Sequence, residues 1–269
     1  MRNQLRRFLP ISLLAVACLY TYKLEDPETH TCAAAGITGL SATTQNGAIS
    51  VTTSNDTVIT VVVLKHAYGR DKADAEQAIA NVVYSDTVVG DELRAKAEMP
   101  NGSRPYGASF TITVPESIGL SLSTTNGDVS VANTVGDINA GTTNGSVELT
   151  GTTGTASVST TNGRLNVAVH YGGIDGKTTN GTVDCDVATL GPTENVGLET
   201  TNGNVTLLLP ADVSAEIDAT NTNGLITIYD FTVIYESQTE HHLRGRIGSG
   251  ASSITITTTN GAVTVRRRS

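Results

Sequence analysis

The sequence predicts an all-β fold, a parallel β-solenoid of about 18-residue coils with an N-terminal cap containing one short α-helix. Three observations predict it. First, Asn-Gly recurs at Asn126, Asn144, Asn162 and Asn180, 18 residues apart each time, and again at Asn202, Asn223 and Asn260 with the spacing relaxed to 22, 21 and 37. Second, apolar residues alternate after each pair, as in Val129 and Val131, Val147 and Leu149, or Leu165 and Val167, the period-two signature of a strand with one face buried. Third, the 269 residues include no Trp, three Phe and 27 Gly. An interior built from Val, Ile, Leu, Ala and Thr is narrow, which suits a thin stack better than a sphere.

The elements follow in order. Met1 to Arg7 form a basic segment and Phe8 to Ala17 an apolar one, too short to span a bilayer. Residues 1–17 therefore read as an export signal peptide. Leu14-Ala15-Val16-Ala17-Cys18 resembles the bacterial lipobox, apart from Ala15 where Leu is usual, so Cys18 is the expected lipidation site. The same residues also fit ordinary signal cleavage and plain secretion. Residues 18–43 read as lipidated N-terminus and linker, with Pro27 and no periodicity. Residues 44–115 read as capping strands and a helix over Asp71 to Val83, with Asp71 as N-cap and Ala75, Ile79 and Val82 on one face.

Residues 116–268 are the repeat. Most copies read Thr-Thr-Asn-Gly-x-Val/Leu-x-Val/Leu, where Asn-Gly tolerates the positive φ of a tight turn. A second turn signal falls midway, at Gly136-Asp137, Gly154 and Gly172-Gly173, so each unit makes two strands and two turns. A meander of hairpins could use the same turns but has no reason to hold a constant period. Stacked coils do, since equivalent side chains fall into columns about 4.8 Å apart. One column is an expected Asn ladder through Asn126, Asn144, Asn162 and Asn180. Another is an outward Thr column through Thr125, Thr143, Thr161, Thr179 and Thr201, a candidate binding face for glycan or protein, with the preceding threonines projecting from the opposite face. Asp230 to Gly250 interrupts the repeat and reads as an excursion before a final coil.

Net charge is −9, and −12 without Arg2, Arg6 and Arg7, which opposes a nucleic-acid partner. The five histidines show no metal-ligand spacing, no Gly-x-Ser-x-Gly elbow occurs, and no cofactor motif is present. Cys185, flanked by alternating valines, reads as a core residue, while Cys32 is unassigned. A glycan-cleaving β-helix enzyme would need paired carboxylates, and Asp128, Glu148, Asp184, Asp186 and Glu199 are scattered through the repeat.

Ser109 to Pro115 leading into Thr124 to Val131, and Leu243 to Gly250 leading into Ile254 to Val265, closely resemble the bacterial β-strand-repeat family DUF4097, whose members are often called adhesins by analogy. The resemblance covers residues 44–268. One departure is that Asp follows Asn-Gly only at Asp128. The resemblance implies a solenoid-like fold and a cell-envelope location, and no established chemistry. The expected role is an adhesin-like, non-enzymatic interaction protein, joined to the membrane by its N-terminal lipid and with a glycan or protein ligand of unknown identity. The alternatives are an envelope-stress or assembly factor that docks another envelope protein, or a polysaccharide-acting enzyme.

Overall fold

The computed structural model describes residues 20–100 and 104–269. The signal segment and Cys18 lie outside the described residues. In chain order, β1 (Tyr22–Ala33), β2 (Gly39–Thr43), β3 (Ile49–Ser54) and β4 (Val58–Gly69) precede the helix α1 (Lys72–Ile79). β5 (Val83–Val89), β6 (Glu92–Glu98) and β7 (Tyr106–Pro115) come next. The repeats then supply strand pairs: β8 (Gly119–Ser123) with β9 (Val129–Ala132), β10 (Ile138–Asn144) with β11 (Val147–Thr150), and β12 (Ala156–Asn162) with β13 (Leu165–Tyr171). They continue through β14 (Ile174–Asn180) with β15 (Val183–Thr189), β16 (Asn195–Asn202) with β17 (Val205–Leu209), and β18 (Ala215–Asn223) with β19 (Ile226–Ile228). A hairpin of β20 (Val233–Gln238) and β21 (His242–Ile247) precedes the last coil, β22 (Ser252–Asn260) with β23 (Val263–Arg267).

Each coil gives one strand to an eleven-stranded sheet and one to a twelve-stranded sheet. Pairing between coils is parallel and in register, so Val129, Val147, Leu165, Val183, Val205 and Val263 form one inward column. Leu120, Ile138, Ala156, Ile174, Val196 and Ile254 form the facing column in the other sheet. Both columns belong to a single continuous core. The chain is a parallel β-solenoid, and Cys185 is one of its buried residues. Burial pushes that thiol up to about 12, and Cys32 and Cys185 are both free.

Chain order is broken at both ends. β2/β3 lies between β6/β7 and β8/β9, and β22/β23 is inserted between β16/β17 and β18/β19. Three expectations are corrected here. Residues 22–33, read as linker, form the twelve-residue β1, paired antiparallel with β4. Pro27 is tolerated there because β1 is an edge strand, where a missing N–H costs no ladder bond. β2 and β3, assigned to the linker and cap, are an interior coil of the solenoid. Asp230 to Gly250 is not a free excursion, because β21 pairs antiparallel with β18 and β20 with β21, closing one sheet.

At the other end β4 pairs antiparallel with β7, and β5 with β6. The helix is shorter than expected. Asp71 caps it by accepting from the Asp74 N–H at 2.9 Å, and Ala75, Ala78 and Ile79 are its buried residues. Asp74 also receives Arg70 and Arg104, whose guanidinium groups hold its carboxyl well below the usual carboxylate range.

Candidate interaction edge

The Thr-Thr-Asn-Gly segment forms the corner where each coil passes from one sheet to the other, and every position in it has a separate task. The first Thr follows two inward apolar residues, so strand alternation turns it inward too. Thr124, Thr142, Thr160, Thr178, Thr200 and Thr258 are buried. Each hydroxyl donates to the turn-glycine carbonyl of the preceding coil in the stack, as Thr142 does to Gly127 at 2.8 Å and Thr160 to Gly145 at 2.8 Å. These are the threonines expected to project from the opposite face. They are instead the polar closure of the core.

The second Thr is exposed. Thr125, Thr143, Thr161, Thr179 and Thr201 all lie on the surface, and Thr259 and Thr222 continue the same position through the inserted coil and the coil beyond it. At the other end of the column the position is held by Gln45.

The asparagines come next. Asn144 Nδ2 donates to Asn126 Oδ1 at 2.8 Å, Asn162 to Asn144 at 2.9 Å and Asn180 to Asn162 at 2.8 Å. The ladder runs further than the four residues singled out from the period. Asn126 donates to Asn46 at one end, while Asn202 donates to Asn180, Asn260 to Asn202 and Asn223 to Asn260 at the other. The relaxed spacings do not interrupt it, because the extra residues leave the coil elsewhere. The glycine is required by close approach: a Cβ on Gly163 would sit 1.8 Å from the Gly145 carbonyl oxygen. None of the ladder asparagines has a positive φ; Gly127, Gly145 and Gly224 do, at 156°, 158° and 145°, so the expected positive φ falls on these three glycines while the close contact requires glycine in every coil.

The opposite corner carries a second three-coil pattern that sequence reasoning missed. Asn133, Gly151 and Val169 have φ of 61°, 63° and 58°, and each is followed by a fully buried polar residue, Thr134, Thr152 or His170. His170 Nε2 donates to the Gly173 carbonyl at 3.1 Å, leaving Nδ1 to accept from the Thr152 hydroxyl at 2.9 Å. Burial holds this imidazole below its ordinary value. The 18-residue spacing of these positions was the available signal, hidden by three different residue types.

Four of the five scattered carboxylates have local partners. Asp128 accepts the Ser146 N–H at 2.7 Å, Glu148 accepts from Asn166 Nδ2 at 3.0 Å, Asp184 pairs with Arg164 and Asp186 with Arg268, each at 3.0 Å. Glu199 stands beside Lys177 in a shallow hollow on the outer face of the twelve-stranded sheet. A larger open depression of about 760 Å³ on that face is lined by Ser157, Asp175, Glu194, Gly197 and Thr255. His242 pairs with Asp218 at 3.0 Å, whereas His241 bonds Asn221 at 2.9 Å. Among the described residues no helix is long and apolar enough to cross a membrane.

Among solved structures, a Clostridium sporogenes protein named as a candidate cell adhesion protein is similar at 15% identity, over 91% of this chain and 100% of that one, with a TM-score of 0.40. A candidate adhesin of Bacteroides fragilis is similar at 13% identity, over 90% and 97% of the two chains, with a TM-score of 0.39. A candidate lipid-binding protein of Parabacteroides distasonis is similar at 11% identity, over 91% and 97%, with a TM-score of 0.33. No curated protein matches. Residues 34–266, nearly the whole solenoid, match the family described as Toastrack DUF4097, and the chain belongs to that family.

Proposed function

We propose that this chain is a non-enzymatic, adhesin-like interaction module of the cell envelope, exported by residues 1–17, lipid-anchored at Cys18, and binding glycan or protein along its Thr edge. The observation that carries the reading is the unbroken exposed column Thr125, Thr143, Thr161, Thr179 and Thr201, set on a hydrogen-bonded asparagine ladder. Such a column presents hydroxyls at a fixed repeat of about 4.8 Å on a rigid support, and preorganised donors reduce the ordering cost of binding. The engagement of Asp128, Glu148, Asp184 and Asp186 by neighbours supports binding over hydrolysis, since a glycosidase needs one carboxyl to protonate and another to attack or activate water. Export and anchoring rest on the basic, apolar and Cys18 succession of the first 18 residues.

Retention of the purified protein on envelope polysaccharide and envelope-protein fractions tests the reading, alongside a Thr143→Lys/Thr161→Lys/Thr179→Lys variant. Retention by the parent and loss in the variant is the expected result. Equal retention of both removes the Thr edge from the account, and release of soluble sugar restores the enzyme.

One observation favours a second reading, docking of another envelope protein during assembly. The eleven-stranded sheet stops at the three-residue β19, and the twelve-stranded sheet runs two strands further, to an edge strand β20 with Ile234 and Tyr235 exposed. An open edge with apolar side chains invites strand addition.

A further inference from the structure

Asn-Gly is the dipeptide most prone to losing its side-chain amide, because glycine has no side chain to hinder attack by its own backbone nitrogen. That attack needs the nitrogen free of other bonds. The ladder contains eight such pairs, and in seven of them the glycine N–H is already donated to the asparagine carbonyl of the adjoining coil. Gly127 donates to Asn144 at 2.9 Å, Gly163 to Asn180 at 3.1 Å, Gly203 to Asn260 at 3.0 Å and Gly261 to Asn223 at 2.9 Å. The eighth pair closes the stack. Gly224 N–H has no backbone acceptor among the described residues, and Asn223 Oδ1, unlike the other ladder oxygens, receives no carboxamide from a further rung. The next residue, Leu225, is 65% exposed, so water reaches this corner.

We infer that Asn223 is a spontaneous modification site of the folded protein, converting to aspartate and isoaspartate, and that the stacked ladder shields the seven other Asn-Gly pairs. The chemistry needs only water. The Gly224 nitrogen gives its proton to solvent hydroxide and bonds to Cγ of Asn223. The Cγ–Nδ2 bond breaks, and ammonia leaves with a proton taken from water. Water then opens the resulting five-membered imide at either carbonyl. No oxidation or reduction occurs.

The product changes the stack. A carboxylate at position 223 cannot donate to Asn260 Oδ1, a bond now 2.8 Å long. Isoaspartate also lengthens the main chain at the corner, withdrawing the Asn223 carbonyl that Gly261 N–H uses. Asn260 is then left in the state that exposed Asn223. Modification therefore advances inward in spatial order, Asn223, Asn260, Asn202, which differs from chain order.

Peptide mapping of the folded, full-length protein during incubation in mildly alkaline buffer tests this, with a urea-unfolded sample in parallel. In the folded protein, amide loss at Asn223 is expected to outpace loss at Asn162 and Asn180 by about tenfold or more, since those require opening of paired strands. Asn260 should follow only after Asn223 has converted, and the rates should converge in urea. Equal folded-state rates at Asn223 and Asn162, conversion of Asn260 first, or a difference that persists in urea would each overturn the assignment.

Discussion

At the residue scale the repeat motif separates into four tasks, only some of them visible in the letters. The asparagine column was legible, because a constant period puts identical side chains in line. The inward first threonine is legible as well, since Leu120, Leu122 and Thr124 continue one alternation, and that alternation outweighs the expected outward projection. Replacing Thr160 by Val keeps the shape and removes the hydroxyl bond to the Gly145 carbonyl. A loss of about 1 kcal/mol is expected by denaturant titration, because the orphaned buried acceptor offsets the gain in apolar surface. His170 makes a second case. Its imidazole is held below its ordinary value by burial, so the unfolded chain takes up a proton that the folded chain refuses. Its contribution is present above the unfolded value of about 6.5 and is lost as pH falls below it. His170→Thr, which restores the residue found at positions 134 and 152, should make stability depend less on pH between about 6.5 and 5. Parallel melts of the two proteins across that range would measure it, and identical slopes would contradict it.

At the element scale the corners, more than the strands, limit what the coil can accept. Gly163 lies where any Cβ would meet the Gly145 carbonyl oxygen at 1.8 Å. Gly163→Ala should therefore cost roughly 3 kcal/mol or more, as forced backbone displacement does. Gly141 is an internal control: its nearest neighbour would be the Ser159 hydroxyl at 3.2 Å, and Gly141→Ala should stay within about 1 kcal/mol. Val169 is the opposite kind of position. It holds a β-branched side chain at φ 58°, where the preceding coils use Gly151 and Asn133, and the strand register shifts beside it. Val169→Asn is expected to raise stability by about 1 kcal/mol through relief of that strain, read out as a higher midpoint in chemical denaturation. The strands of the repeat were legible from alternation. β1 was not, because Pro27 and a run of exposed charged residues mask an edge strand whose pairing is made only with β4.

At the scale of the whole molecule the chain-order inversions at both ends matter most. A parallel stack contains no local signal of which coil adjoins which, because every coil carries the same corner chemistry. The spacing of 37 between Asn223 and Asn260 announces an insertion and does not say that the later coil lies inside the earlier one. Since β22/β23 fills the place between β16/β17 and β18/β19, residues 251–269 are an interior layer. Their removal should unfold the region from β18 to β21 as a unit, whereas loss of a true terminal coil would leave the rest intact. Hydrogen exchange on the truncated chain should show protection lost from β18 and retained in β12 and β14. Retained protection at β18 would contradict the inserted order. The candidate site was legible to the extent that it is periodic, in the Thr and Asn columns, while the capped and open ends depended on pairings between residues far apart in sequence.

The proposed envelope role is tested most directly by feeding cells a labelled fatty acid and fractionating them, with the parent chain and Cys18→Ala compared. We expect label on the parent, its recovery with membranes, and neither for the variant. Unlabelled parent protein in the soluble cytoplasmic fraction would contradict the anchored, exported module on which the binding role depends.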